Sequence, residues 1–263
     1  MNSALIFKFK SDLSQLKIPI KLNNPFSFEI PAIAKIAALE FKAFMNAESK
    51  KWNYDFHNVR GKMLGVLVVQ QEDYSYKYLG TYSGKMPQGL ICNQCVPSIF
   101  DDSVGDYFIN KGMTALSDIA KQIKNSTNES EILALKSKSK EKSIALQKRL
   151  FESYNFVNLS GETKNLLRIF AAYSQGNPPS AAGECSAPKL MQYALKNNLK
   201  PIALAEFWWG KPKQNSAIED GEFYPACKDR CRPILEYMLE DDGLFVNAAS
   251  PRNAPAHCAA KPH

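Results

Sequence analysis

No run in this 263-residue chain approaches the roughly 18 apolar residues that a membrane-spanning helix requires. Residues Met1 to Lys8 lack the long apolar core of a secretory signal, so the expectation is a cytoplasmic protein with no membrane partner. Without export, the 6 cysteines are expected to stay reduced, available to a metal or buried as small apolar groups. Phosphate loops, dinucleotide fingerprints and nucleophile elbows are all missing, so no cofactor-binding residues of those kinds are expected. Histidine is scarce at 3 residues, and none stands where a metal ligand is expected. His57, between Phe56 and Asn58, reads as a surface or packing residue.

What is present is the composition of a globular chain long enough to bury a sizeable core, 45% hydrophobic and 22% charged. The net charge of +7 is unevenly spread. Between residues 111 and 150 stand nine Lys/Arg against four acids, a surplus that suits a polyanion such as RNA or forms a solvated helix face.

The spacing predicts a helix over residues 31–47, opened by Pro31, and a buried strand at Met63–Val69. A polar turn leads to a partner strand, Tyr78–Ser83, making an antiparallel hairpin. From Asp106 to Tyr173 the pattern is helical, broken at Asn125–Asn128. A helix follows at 188–198, then a strand at Pro201–Gly210 and a helix over Cys227–Leu239. The fold class is therefore α/β, a small mixed sheet flanked by helices, with residues 1–105 and 174–247 as its core. Residues 106–173 form a basic helical-hairpin insertion and 248–263 a disordered tail.

Chemistry concentrates in two cysteine motifs. Cys185 opens the helix at 188–198, and Cys227 with Cys231 opens the last helix, where an i, i+4 pair shares one face. Three thiolates brought together, with sulfurs within about 4 Å of one another, could hold zinc and leave a fourth position for water. Helix N-termini would favour those thiolates. Glu184 and Glu206 are the candidate general acid/base groups. A rival arrangement joins Cys92 and Cys95 to Cys227 and Cys231 as a closed structural site, and the plain alternative is that the cysteines merely pack. Cys258 lies in the tail and is expected to be uninvolved. Trp208 and Trp209 end a strand beside Lys211, where one indole is expected near solvent and able to stack a base, or both belong to the core. Arg60, Lys62 and Lys189 are candidate phosphate contacts, and Lys136, Lys138, Lys140 and Lys142 are candidate RNA contacts on the insertion.

Several segments resemble, in order, the N-terminal region of bacterial pseudouridine synthases of the RluA type. They are Asn24–Phe26, Gly61–Val69, Tyr82–Lys85, Gly183–Leu190, Ala205–Gly210 and Phe223–Cys231. The likeness spans about residues 20–240. In that family a separate synthase domain carries an Arg-Leu-Asp motif, which occurs nowhere in these 263 residues. The resemblance thus implies an RNA-binding accessory role in RNA modification without pseudouridylation by this chain. The element order also looks like the zinc-dependent deaminase fold, which gives the second reading, a zinc-dependent hydrolase acting on a nucleobase or nucleotide. A third is a protein-interaction module with structural cysteines.

Overall fold

A computed structural model describes residues 5–100, 108–173, 176–212, 214 and 216–239. The tail expected at 248–263, with Cys258, lies outside these residues. A five-stranded sheet forms the centre, in the order β1 (Ile6–Lys8), β3 (Tyr76–Tyr82), β2 (Lys62–Gln70), β6 (Lys200–Trp209), β7 (Phe223–Tyr224). The α/β class is as expected, but every neighbouring pair is antiparallel, so the sheet is not mixed. Each inner strand is apolar on both sides because helices cover both faces.

Alternation along the strands decides which residues face which layer. Leu64, Val66 and Val68 of β2 join Ala203, Ala205, Phe207 and Trp209 of β6 under α1 (Ala32–Lys51). Pro31 is its N-cap, and Lys50 and Lys51 complement the dipole at its far end. Leu67 and Val69 face the other way with Leu204, onto α5 (Ser186–Lys196), α4 (Leu166–Ala171) and α6 (Arg232–Leu239). A register shift at Val68/Val69 lets Ile202 and Ala203 both contribute to the α1 side.

The region read as an insertion divides in two. Helices α2 (Phe108–Asn125) and α3 (Glu129–Ser153) form a hairpin with few buried residues, and Asn128 caps α3 by accepting from the backbone N–H groups of Ser130 and Glu131. Residues 154–165, expected to be helical, instead form a small ribbon of β4 (Asn155–Val157) and β5 (Thr163–Asn165), while the helical expectation holds for α4 after it. Phe156, Leu166, Ile169 and Phe170 are buried in the main core, so this stretch belongs to the body. Among the described residues, no helix is long and apolar enough to cross a membrane.

The last helix also begins later than expected, at Arg232, leaving Cys227 and Cys231 in the turn that leads into it. That turn still closes a helix-like loop, the N–H of Cys231 reaching the Cys227 carbonyl at 3.3 Å.

Candidate metal centre and its pocket

The topology brings three sulfurs together. β6 runs between the two cysteine segments, so the N-terminus of α5 and the turn before α6 meet over the same end of the sheet. Cys185 is the N-cap residue of α5. The Sγ atoms of Cys185, Cys227 and Cys231 all lie within 4.8 Å of one another, with Cys227 and Cys231 3.2 Å apart. Thiolates around tetrahedral zinc stand about 3.8 Å apart, so the three sulfurs are close enough to hold a metal ion. Hydrogen bonds from Cys185 and then Cys231 hold the Cys227 thiol well below its usual range, and sharing those protons pushes the other two thiols up. Proton sharing of this kind favours thiolate character at Cys227, the form that a metal ligand takes.

Cys92 and Cys95 take no part. They form a disulfide with each other in the α1-side core, across the sheet from the three sulfurs, with Cys95 3.8 Å from the Met45 sulfur. This removes the four-thiolate alternative, and the expectation that all cysteines stay reduced does not hold for this pair. His57 is exposed and faces Asp220 and Asn46, away from the sulfurs.

Two carboxylates border the cluster in different states. Glu206 sits on β6 opposite Gly65 of β2 and is 6% exposed. Burial pushes its pKa up to about 7, against the hydrogen bonds it accepts from the Ser186 hydroxyl and the Ala187 N–H. Gly65 is what lets α5 come this close, since a Cβ there would lie 2.7 Å from that of Ser186. Glu184 instead accepts from the Tyr154 hydroxyl and, at 3.1 Å, from Ser98, which fixes its carboxylate on the body side. Of the two expected acid/base residues, Glu206 has the environment of a proton carrier.

These groups line a pocket of about 500 Å³, shared with Arg60, Lys62, Lys85, Trp208 and Arg230 among others. Arg230 is exposed, and the three sulfurs raise its pKa against a desolvation cost. Sequence pattern does not single out Arg230, Ser83 or Ser186. Arg230 stands two residues from each of Lys228 and Arg232, where it is indistinguishable from surface charge.

Of the two tryptophan expectations, the exposed stacking indole fails and burial of both rings holds. Trp209 is fully buried, stacked on Phe56 and donating to Asn46 at 2.7 Å, while Trp208 is 4% exposed with its N–H turned to the Gly210 and Lys211 carbonyls. Neither offers an open face to a base. Trp209 lies in the core under α1 and Trp208 packs against the turns at Gly61 and Gly210, which strand alternation alone does not foretell. Lys211 is exposed and bonds the Asn58 carbonyl at 2.9 Å. Lys189 is only 2% exposed, its ammonium over the Tyr82 ring, and desolvation lowers its pKa to about 8. It is therefore out of reach as a surface phosphate contact. Lys136, Lys138, Lys140 and Lys142 are all exposed on α3.

The chain matches no family model, no curated protein and no solved structure.

Proposed function

We propose that the protein is a zinc-dependent hydrolase of deaminase type, acting on an amino-substituted nucleobase or nucleotide. The observation that carries this reading is the convergence of Cys185, Cys227 and Cys231 with the buried Glu206 at the base of one pocket. Zinc deaminases combine such a three-ligand donor set with a glutamate that is not a ligand. The donor set here is all sulfur, which suits zinc over magnesium or calcium. A zinc ion held by Cys185, Cys227 and Cys231 would supply a Lewis acid and lower the pKa of water.

The chain's own groups account for the proton traffic. Glu206, poised near neutrality, takes a proton from the attacking water and returns it to the departing amino group, so that water enters and ammonia leaves. Ser186 and the Ala187 N–H hold its carboxylate in place for both transfers. Met63 and Ile218 supply an apolar wall for a flat, weakly polar base.

Metal analysis of the purified protein tests the reading. It expects about one zinc per chain, absent from Cys227→Ser, and ammonia release from nucleotide substrates that falls by two orders of magnitude or more in Glu206→Gln. A protein purified from zinc-supplied cells that contains none, and takes up none, rules it out.

A second reading, RNA binding by the helical hairpin, is supported by the exposure of all four insertion lysines, 136, 138, 140 and 142. The two are compatible if the nucleotide acted on lies within an RNA strand, the context that the resemblance to the synthase N-terminal region implies.

A further inference from the structure

The pocket has more positive charge than a neutral base needs. Four cations border it, Arg60, Lys62, Lys85 and Arg230, against the carboxylates of Glu184 and Glu206. Both carboxylates already have donors, as described above. Three of the cations, Lys62, Lys85 and Arg230, have partners as well. Lys62 donates to the backbone carbonyls of Ser83, at 3.2 Å, and Lys85, and Arg230 is held toward the Cys227 sulfur.

Arg60 differs. Its side chain is exposed, and among the described residues it makes no hydrogen bond, ion pair or ring contact. Its backbone is nonetheless rigidly placed. The next residue, Gly61, donates to the Lys211 carbonyl at 2.9 Å, and Lys211 in turn donates to the Phe56 carbonyl at 2.8 Å. A Cβ at Gly61 would lie 2.5 Å from the Trp209 carbonyl oxygen and 2.6 Å from the Trp208 indole nitrogen, so this turn is packed against the end of β6. A fixed turn therefore presents an uncommitted guanidinium at the mouth of a pocket whose floor is the three-sulfur cluster. Guanidinium is suited to a phosphate because its fork meets two oxygens at once.

We infer that Arg60 binds the phosphate of a nucleotide whose base enters toward Cys185, Cys227 and Cys231, with Lys85 adding charge at the same rim. This rests on the hydrolase reading for the direction of the base. The phosphate belongs either to a free nucleoside monophosphate or to an RNA strand, and both present the same group to the same residue.

The test compares binding of nucleosides, the matching 5′-monophosphates and a short single-stranded RNA by calorimetry, with zinc content measured on the same samples. The expected result is an affinity at least tenfold higher for the monophosphate than for the nucleoside, removed by Arg60→Gln and partly retained by Arg60→Lys. Zinc content is expected to be unchanged, because Arg60 is exposed and touches none of the sulfurs. If only the RNA responds to Arg60→Gln, the phosphate is that of a strand. Equal affinities for nucleoside and monophosphate, with an RNA affinity unaffected by Arg60→Gln, overturn the inference. Zinc-free protein that keeps an Arg60-dependent preference for phosphate rejects the hydrolase reading and leaves the phosphate site standing.

Discussion

At Glu206, burial outweighs two hydrogen bonds, and the sign of that imbalance is measurable. The folded chain keeps this carboxyl protonated up to about pH 7, whereas an unfolded glutamate releases its proton near 4.5. Between those values the folded state holds more protons, so its stability falls as pH rises through the window and levels off above it. The contribution is of the order of 3 kcal/mol. Chemical denaturation of metal-free protein at pH 5 and pH 8 is expected to show a loss of this order, and Glu206→Gln is expected to abolish most of it. Trp209→Ala should cost about 3 to 5 kcal/mol, as for a large aromatic removed from a core, without a specific loss of RNA affinity. The cysteine triad is legible from motif position as one arrangement among three, because a cysteine before a helix and a pair after the next strand can meet when that strand is central. The indoles are less so. Ala205-Glu206-Phe207-Trp208-Trp209 looks the same in sequence whether or not the turns at Gly61 and Gly210 pack against Trp208.

Helix α3 shows the same limit in another form. Its lysines and its Asn128 cap are readable from the residue pattern, and the projecting hairpin follows from a run of 25 residues with only Phe151 buried. Residues 154–165 read as helix in sequence and are not, because β4 and β5 are only 3 residues each, whereas Leu166, Ile169 and Phe170 do fall on a helix, α4. So short a ribbon has too few positions to display alternation. Changing Lys136, Lys138, Lys140 and Lys142 to glutamate is expected to weaken RNA binding at low salt. It should also flatten the salt dependence, the logarithmic slope shrinking by about 0.7 for each phosphate that is no longer neutralised, as measured in binding titrations across salt concentrations. Unaltered slopes would place any RNA-binding surface elsewhere. Replacing Gly65 with valine is expected to push Ser186, and with it the adjoining Cys185, off the sheet, so that both turnover and zinc content fall.

Across the whole molecule, the sulfurs belong to one site only when the sheet is complete. Metal binding should therefore stabilise the entire fold rather than one loop, raising stability by about 2.7 kcal/mol at a free zinc concentration one hundred times its dissociation constant. Thermal melts with zinc and with a chelator check this, and Cys185→Ser should erase the difference. The sheet itself is readable as α/β, but its uniformly antiparallel pairing depends on β6 docking beside β2, a long-range choice that local pattern does not encode. That docking pairs Gln70 with Lys200, about 130 residues later in the chain. At roughly 5 to 20 residues per second, a nascent chain on the ribosome carries β2 with one apolar edge unpaired for about 6 to 26 seconds. An early hairpin waiting that long is a natural client for a chaperone, and the interval closes only when β6 emerges.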